Sequence, residues 1–518
     1  MANAIASEQR LSSNICRTLL FIFGGVALLI HLLTNGRYGY FRDELYYMAC
    51  GQRLAFGYVD QPPLSIFLLR LSRILFGDSL FAIRLLPALA SMGTIVLTGM
   101  IARELGGRSW AIILSCAASL IATIFLILGN FFSMNAFEPL FWMGCISFLV
   151  RIINGGRSTL WIWFGLVAGL GIENKHSAVF FGVAVVIALS LTPERRHFGQ
   201  RWIWLGGLVA FLVVLPNLIW QVQNHWPTWE LLNNVARSRK NIVLNPIDFL
   251  AQQVLIMNPG TLPLWIGGLI WLFAAPDGRR YRALGIIYLV LLVEFILLRG
   301  KIYYLAPAYP MLFAAGGVAA ERLFKARWWW LKPALLAIAI IPSGLLAPVA
   351  LPILSPERLI AYMESIHFHP PRTETSHTAP LPQYFADQFG WEEMVSSVGH
   401  VYHHLRPQDE KRAAIFCQNY GEAAAIDFFG PKYKLPSSIS GHQNYFLWGP
   451  RQYSGEVMLV LDIDADDERE QFAYVEDLGQ VVSSPWAMPF ERRTHIYLCR
   501  DLKGGNLQTF WPRVKKWL

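Results

Sequence analysis

Long apolar runs follow one another from about residue 14 to residue 354, separated by short segments of Arg, Lys, Gly and Pro. A membrane-spanning helix needs about 20 predominantly apolar residues. The pattern predicts eleven spans, at residues 15–34, 80–102, 110–129, 137–151, 159–172, 177–192, 201–220, 260–275, 283–298, 304–321 and 331–354. We expect the first to be a span and not a cleaved signal peptide, because no small-residue cleavage site follows it.

The pattern of residue types changes beyond Ser355, where charged and apolar residues mix as in an ordinary soluble domain. Residues 413–417, 457–462 and 494–499 have the apolar runs of buried strands, and a helix is expected from Tyr420. The sequence therefore predicts an α-helical polytopic membrane domain, residues 1–354, with outer loops at 35–79 and 221–259. A soluble α/β domain, residues 355–518, follows it.

Composition supports the membrane assignment. The chain is 54% hydrophobic and 15% charged, whereas soluble domains carry roughly 25% charged residues. The net charge of +9 divides into +14 before residue 355 and −5 after it. The basic balance thus belongs to the membrane part, where Lys and Arg orient spans and meet anionic lipid, and it does not indicate nucleic-acid binding.

Cysteine usage adds little chemistry. The six cysteines show no metal-binding spacing. Cys417 and Cys499 both fall in the tail and would be able to pair if the tail lies in an oxidising compartment.

Basic residues predict the orientation of the spans. With the N-terminus in the cytoplasm, the short inner turns are all basic, at residues 103–108, 151–157, 195–201, 279–282 and 322–332. The two long loops and the tail then lie outside, because an odd number of spans precedes the tail.

Two carboxylates, Asp43 and Glu44, follow the first span in a stretch that ends at Tyr47. Aromatic residues around them are typical of a membrane interface. A carboxylate held there is partly desolvated, which suits a general base. The alternative is that these acids cap the helix that follows.

A polar break, residues 171–177, separates two short apolar segments and contains Lys175. Such breaks are typical of discontinuous helices that line a cavity, and a lysine at membrane depth indicates function by default. The alternatives are a structural ion pair with Glu173 or snorkelling to the interface.

Asn135 and Glu138, at the start of the fourth predicted span, are three residues apart and share one helical face. We expect this face to meet the first outer loop or a wet cavity.

The last outer loop combines Arg299, Lys301 and Tyr304. Two cations and a tyrosine hydroxyl where a span begins make a clamp for a membrane-borne phosphate. The alternative is an ordinary interface anchor of Tyr and Lys.

The second outer loop holds His225 and a basic group of Arg237, Arg239 and Lys240. The basic group suits a phosphate or forms a solvated helix face. His225 and Asp60 have the chemistry of metal ligands, but no third ligand is evident.

Five segments together resemble the polytopic GT-C glycosyltransferases, especially the bacterial family 39/83 group of protein mannosyltransferase-like, aminoarabinose transferase-like and galacturonosyltransferase-like enzymes. They are Phe41-Arg-Asp-Glu-Leu-Tyr-Tyr47, Gly57-Tyr-Val-Asp-Gln-Pro-Pro-Leu64, Arg84-Leu-Leu-Pro87, Glu173-Asn-Lys-His-Ser177 and Lys301-Ile-Tyr-Tyr-Leu-Ala-Pro-Ala-Tyr-Pro310.

The resemblance implies a sugar donor on a polyprenyl phosphate or pyrophosphate and transfer on the periplasmic face of a bacterial inner membrane. The acceptor would be a glycolipid, a polysaccharide or a protein. The family's essential acid falls on Asp43, with Glu44 beside it, and its basic residue between paired spans falls on Lys175. The chain departs from the pattern at Gln61, where relatives often have Lys, and at Asn135 and Glu138, where many have Asp.

We therefore expect an inverting single displacement, with Lys175, Arg299 and Lys301 binding the phosphate. Asp60, Asn135, Tyr47, Tyr304 and Arg237 complete the expected substrate site, and Glu138 is the candidate second acid. No cofactor is firmly implied, although a divalent metal is compatible with the pattern.

A rival interpretation is a transporter or flippase of lipid-linked sugar, which would place its site near the midplane between repeats. The absence of an internal repeat and the outer position of the acids favour transfer. A non-enzymatic envelope scaffold would leave the ordered loop motifs unexplained. The transfer hypothesis requires Asp43 and Glu44 to share one non-cytosolic cavity with Lys175, Arg299 and Lys301.

Overall fold

The computed structural model describes residues 2–238, 240–324, 328–372, 374–375 and 378–518, with side chains from residue 14 onwards, and most of these residues are helical. In chain order the α-helices are α1 (Ala2–Thr34), α2 (Arg42–Gln52), α3 (Leu64–Phe76), α4 (Leu80–Glu104), α5 (Ser109–Ile121), α6 (Thr123–Leu128), α7 (Met134–Ile153), α8 (Leu160–Asn174), α9 (Ala178–Ser190), α10 (Arg201–Gln223), α11 (Pro227–Arg237), α12 (Pro246–Ile256), α13 (Leu262–Ala274), α14 (Arg282–Leu297), α15 (Tyr309–Leu323), α16 (Leu331–Ala350), α17 (Pro356–Ser365), α18 (Gln383–Ala386), α19 (Trp391–His403), α20 (Pro407–Glu410), α21 (Tyr420–Phe429), α22 (Gln443–Trp448), α23 (Asp466–Gln471), α24 (Pro489–Arg492) and α25 (Leu507–Phe510). The strands are β1 (Ala414–Cys417), β2 (Val457–Asp462), β3 (Phe472–Gln480) and β4 (His495–Leu502). Short 3₁₀ helices occupy Pro193–Gly199, Pro259–Thr261, Arg279–Tyr281, Ile302–Ala308, Gly430–Tyr433 and Trp511–Val514.

The chain forms two compact units. The first comprises Met1–Gly36, Phe76–Ile219 and Val243–Ile353. The second comprises Arg37–Leu75, Trp220–Ile242 and Leu354–Leu518. Most of both long loops therefore belongs to the same unit as the tail.

The first unit contains the apolar helices. Within the described residues, six helices are long and apolar enough to cross a membrane, or up to eight if each of two bent pairs is one span. The six are Asn14–Thr34, Leu80–Glu104, Met134–Ile153, Arg201–Gln223, Ile302–Leu323 and Leu331–Ala350. The bent pairs are Ala178–Ser190 with Pro193–Gly199 and Pro246–Ile256 with Pro259–Ala274.

The chain is thus a helical multi-span membrane protein, but eleven spans are not confirmed. All eleven predicted segments are helical, yet several are short. The segment predicted at 110–129 breaks at Ala122 into α5 and α6, and α8 has only 15 residues. These helices are too short to count as full spans, because about 20 residues are needed to cross the hydrocarbon core at a rise of about 1.5 Å per residue.

Buried polar groups and small residues hold the first unit together. Arg84 is completely buried in α4, where its guanidinium donates to the carbonyl of Asn35 (2.9 Å) and the Asn35 amide donates to the carbonyl of Arg84 (3.1 Å). Gly165 of α8 and Gly206 of α10 each lie against backbone of the other helix, where a Cβ atom would overlap a carbonyl oxygen. Close backbone approach at small residues is how helices associate in membranes, where lipid removes the hydrophobic drive.

The second unit contains a four-stranded sheet of order β1-β2-β4-β3. β1 pairs with β2 in parallel, and the other two pairings are antiparallel. Strands β1, β2 and β4 are the three apolar runs expected from the sequence. Strand β3 was missed because it is an edge strand with mostly exposed side chains, which lacks the apolar signature of a buried strand.

The suggested pairing of Cys417 with Cys499 is wrong, because both are free and buried. Cys417 lies on β1 and Cys499 on β4, and β2 runs between these strands. Neighbouring strands are about 4.8 Å apart, so cysteines two strands apart exceed the Cα separation of about 4.4–6.8 Å that a disulfide requires.

Candidate functional site

Asp43 lies in the first turn of α2, nine residues beyond Thr34, the last residue of α1. Its Oδ1 accepts a hydrogen bond of 2.9 Å from the hydroxyl of Tyr420. The Arg42 guanidinium approaches the same oxygen at 3.8 Å, and the Asp43 side chain remains 30% exposed. Asp43 is thus a held carboxylate that solvent still reaches.

Glu44 is in a different situation from its neighbour. It is completely buried, and its Oε2 accepts the backbone N–H of Phe41 at 2.8 Å. This contact satisfies one of the amide groups that a helix start leaves unpaired. The capping alternative therefore describes Glu44, whereas the Asp43 side chain bonds a distant tyrosine instead.

A second carboxylate, Asp60, belongs to the same unit. Its Oδ1 accepts from the hydroxyl of Tyr46 (3.1 Å), and the rings of Tyr46 and Tyr420 lie 4.6 Å apart. Burial, reinforced by the nearby charge of Asp43, raises the pKa of Asp60 to about 7. At neutral pH Asp60 is therefore able to hold or release a proton.

The loop that carries Asp60 is held from the tail by Asn444. The Asn444 Oδ1 accepts from the backbone N–H of Val59 at 2.7 Å and from the hydroxyl of Tyr46 at 3.3 Å. One amide oxygen thus anchors both the loop and the tyrosine that bonds Asp60.

Arg42 connects this region to another buried acid. Its backbone N–H donates to the carbonyl of Asp387 (3.0 Å), and its Nη2 lies 3.7 Å from the Asp387 carboxylate. Burial raises the pKa of Asp387 to about 6, although the Arg42 charge opposes the shift. The guanidinium therefore lies among acids and limits the repulsion between them.

In the first unit, Lys175 occupies the break between α8 and α9. Its backbone is extended (φ −158°), which ends α8. The buried ammonium donates to Glu138 Oε2 at 2.8 Å, and the other oxygen of Glu138 accepts from the Ser177 hydroxyl at 2.5 Å. The ammonium also lies 4.4 Å from the centre of the Tyr304 ring, a cation–π distance.

The suggested pairing of Lys175 with Glu173 is not observed, and Glu138 takes that place. Glu173 and Lys175 are two residues apart at a helix end, where side chains do not face one another. Glu173 Oε1 is buried without a hydrogen-bond partner among the described residues. Snorkelling is also excluded, because Lys175 is only 6% exposed.

Other predicted residues of the first unit lie around polar ends of helices. Lys301 is partly buried and immediately precedes the Ile302–Ala308 helix that carries Tyr304. Arg299 is exposed and has a left-handed backbone (φ 54°). Asn135 is partly buried in the first turn of α7, and its Oδ1 has no partner within the described part of the chain.

The remaining predicted residues belong to the second unit. Tyr47 is buried in α2, whereas Arg237 at the end of α11 and His225 are exposed. Arg239 lies outside the described residues. No group of three or more His, Cys, Asp or Glu side chains suited to a metal occurs in the described ranges, so Asp60 and His225 do not belong to one.

Comparisons with known proteins bear on this arrangement. A family model described as dolichyl-phosphate-mannose-protein mannosyltransferase matches residues 60–220. The undecaprenyl phosphate-alpha-4-amino-4-deoxy-L-arabinose arabinosyl transferase 1 of Pseudomonas fluorescens is 24% identical over 343 residues, which cover 59% of this chain and 60% of the relative. A transferase of the same description from Pseudomonas aeruginosa is 25% identical over 227 residues, 40% of each chain. The match therefore spans about three fifths of the first of these relatives.

Solved structures extend the likeness over nearly the whole chain. The crystal structure of ArnT from Cupriavidus metallidurans in the apo state covers 93% of this chain and 98% of its own, with a TM-score of 0.61 and 15% identity. The same protein bound to undecaprenyl phosphate gives a TM-score of 0.59 at 15% identity and covers 92% and 97%. The chain has the GT-C glycosyltransferase fold. The arabinofuranosyltransferase AftD from Mycobacteria agrees, with a TM-score of 0.54, 14% identity and coverage of 95% of this chain and 40% of AftD.

The candidate residues of this chain are divided between its two units. Asp43, Glu44, Tyr47, Asp60 and Arg237 lie in the second unit. The first unit contains the set Asn135, Glu138, Lys175, Arg299, Lys301 and Tyr304. That the two sets serve one cavity remains a prediction.

Several partners of the candidate residues were not predicted from the sequence. Tyr420, Asn444 and Asp387 come from the tail, and each contacts the first outer loop from more than 300 positions away. The aromatic and polar composition of residues 440–450 is a signal that could have drawn attention to Asn444. No local signal identified Tyr420 or Asp387, because an acid's hydrogen-bond donor is determined by tertiary packing.

Proposed function

We propose that this protein transfers a sugar from a polyprenyl-phosphate donor to a hydroxyl group of a cell-envelope acceptor. The observation that carries the proposal is the state of Asp43. One oxygen is held by a tyrosine hydroxyl, and the side chain is still 30% exposed, which leaves the carboxylate accessible to an acceptor. A general base needs both features, a fixed geometry and access to the proton that it removes.

Donor recognition is assigned to the cations of the membrane unit. Lys175 is a buried ammonium at a helix break, flanked by the Tyr304 ring, and such a group is a functional candidate by default. The curated relatives are named for undecaprenyl-phosphate donors, and ArnT was solved with undecaprenyl phosphate bound. We assign the donor phosphate to Lys175, with Arg299 and Lys301 as further cationic contacts.

The reaction that follows is a single displacement. The acceptor oxygen attacks the anomeric carbon while Asp43 removes its proton, and a new glycosidic C–O bond forms. The bond between the anomeric carbon and the phosphate oxygen breaks, and its electron pair leaves with the polyprenyl phosphate. Cations that neutralise the phosphate make it a better leaving group. Attack opposite the leaving group inverts the anomeric configuration.

The remaining assignments follow from the contacts. Glu44 stabilises the start of α2. Glu138 is the counter-ion of Lys175 and stays a candidate second acid. Asp60, with its pKa raised by burial to about 7, is assigned to the hydroxyls of bound sugar. Tyr47, Asn135 and Arg237 stay candidates for substrate contacts.

The topology is also part of the proposal. We place the N-terminus in the cytoplasm of a bacterial cell and both long loops and residues 355–518 in the periplasm. The short apolar helices complete eleven spans in the inner membrane. The basic residues of every predicted short inner turn support this orientation. Cysteine accessibility tests it: a membrane-impermeant thiol reagent should label an Asp464→Cys variant of a cysteine-free chain in intact spheroplasts.

The transfer assay uses purified protein, radiolabelled undecaprenyl-phosphate sugars and envelope extract. Undecaprenyl-phosphate 4-amino-4-deoxy-L-arabinose is the first donor to test, because the relatives carry that name. We expect the native chain to move label to an acceptor. Asp43→Asn should do so at least about 100-fold more slowly, the usual effect of losing a general base. Asp248→Asn is the matched control, since Asp248 is an exposed acid in the first turn of α12.

Two outcomes reject the proposal. Equal transfer by Asp43→Asn and the native chain would remove the assigned base. Movement of labelled lipid across reconstituted bilayers with no transfer to any acceptor would favour the flippase instead.

A further inference from the structure

We propose that Tyr420, from the tail, is a positioning residue that orients the Asp43 carboxylate for proton removal. The inference rests on the proposed function, and it makes the tail a structural part of the catalytic apparatus. It follows from a hydrogen bond between residues 377 positions apart within one compact unit.

The position of Tyr420 is determined by the start of α21. Asn419 caps this helix by accepting the N–H of Glu422 at 3.0 Å, and Glu422 in return accepts the N–H of Gln418 at 3.0 Å. The backbone N–H of Tyr420 donates to Nδ1 of His442 at 3.2 Å. Burial lowers the pKa of His442 to about 3, so its ring stays neutral and Nδ1 accepts. These bonds fix the backbone where α21 begins and therefore the position of Tyr420.

The Tyr420 ring is held on several sides. Tyr46 lies 4.6 Å away and His442 lies 4.9 Å away, centre to centre. The Arg42 guanidinium lies 5.5 Å from the ring centre. Contacts of this kind add to the burial of an aromatic ring and restrict its rotamer. The hydroxyl is therefore directed at Asp43 by packing.

The hydrogen bond has one possible direction of donation. Burial raises the pKa of Tyr420, so the phenol keeps its proton and donates it to the carboxylate. Asp43 Oδ1 accepts this bond, whereas Oδ2 has no hydrogen bond within the described part of the chain. A carboxylate held at one oxygen presents the other in a constant direction, which is the geometric requirement for a general base.

The tail contains a chemically matched tyrosine for comparison. Tyr445 is buried, and its hydroxyl donates to Asp427 Oδ2 at 3.0 Å. Both tyrosines thus donate to a buried or half-buried carboxylate in the same unit, but only Tyr420 contacts the proposed base. A purely structural role predicts similar consequences when either hydroxyl is removed.

The test compares Tyr420→Phe with Tyr445→Phe in the full-length protein. Both variants lose one hydroxyl and keep the ring. Transfer from radiolabelled undecaprenyl-phosphate 4-amino-4-deoxy-L-arabinose, or from whichever undecaprenyl-phosphate sugar the native chain uses, gives kcat and the donor KM. We expect Tyr420→Phe to lower kcat by about tenfold or more, the effect of one hydrogen bond to a charged group. The donor KM should stay within about twofold, and Tyr445→Phe should have native kinetics.

A double-mutant cycle shows whether Tyr420 acts through Asp43. Under single-turnover conditions with excess protein, Tyr420→Phe should not slow transfer further in an Asp43→Asn background. The inference is overturned if the two tyrosine variants have equal kcat, if the loss follows the folded fraction in thermal melts, or if the two slowing factors multiply. Native-rate transfer by Asp43→Asn alone would instead reject the proposed function.

Discussion

The buried ion pair between Lys175 and Glu138 gives the sharpest stability prediction. Both side chains are almost fully buried, and the Lys175 ammonium is 2.8 Å from the carboxylate. In the Lys175→Met variant Glu138 keeps one hydrogen bond, from Ser177, and its charge is uncompensated. Removing one partner of a buried pair costs about 3–5 kcal/mol. We expect the free energy of unfolding to fall by that amount.

Replacing both partners should reverse most of the loss. In the Lys175→Met, Glu138→Leu double variant no isolated charge remains, and such apolar replacements are often neutral. The assay is denaturant unfolding in mixed micelles, monitored by tryptophan fluorescence. Lys432→Met is the matched control, because Lys432 also forms an ion pair with a glutamate but on an exposed surface, where such pairs contribute little.

Two results would refute this reasoning. One is native stability of Lys175→Met, and the other is a double variant whose loss equals the sum of the single losses. Transfer activity separates stability from donor binding, because the stabilised double variant still lacks the ammonium and should remain inactive.

Three further predictions concern packing, pH and thiols. Gly206→Ala should destabilise the protein markedly, because a Cβ atom there overlaps a carbonyl oxygen of α8. Gly207→Ala should be tolerated, because a Cβ atom there meets no atom within 4 Å. Thermal melts compare the two variants, and equal melting temperatures would contradict the close helix contact. Burial, only partly opposed by the Arg42 charge, raises the pKa of Glu491 from 4.5 to about 7, so the folded state binds the extra proton and stability should fall as pH rises from about 4.5 to about 7. Glu491→Gln should flatten that part of the stability–pH curve, and an unchanged slope would contradict the assignment. Cys417 and Cys499 should both react with iodoacetamide in denaturant without reductant, and protection of both until reduction, seen by mass spectrometry, would indicate a disulfide.

Local apolar patterning predicted the helices well. All eleven apolar segments are helical, because a long apolar run in lipid must satisfy its backbone hydrogen bonds internally. The count of spans was less predictable, since breaks such as Ala122 depend on backbone geometry that hydropathy does not record. Strand β3 escaped detection for the opposite reason, because its exposed side chains carry no apolar signal.

Only those candidate residues that stand beside recognisable apolar segments could be predicted from the sequence. The carboxylates at 43 and 44 and the lysine at 175 were identified from their place beside apolar segments. Their partners were not, because Tyr420 is 377 positions from Asp43 and Glu138 is 37 positions from Lys175. A pair with Glu173 was one alternative from the sequence, but α8 ends at Asn174 and the Lys175 ammonium instead meets Glu138 of α7.

Donor binding and transfer, measured side by side on three proteins, test the central claim most directly. The account predicts that Asp43→Asn binds an undecaprenyl-phosphate sugar within about twofold of the native affinity. It predicts that this variant transfers the sugar at least about 100-fold more slowly. It predicts that Lys175→Met loses donor binding. An Asp43→Asn protein that delivers sugar at the native rate, or a Lys175→Met protein that binds the donor as tightly as the native chain, would contradict it.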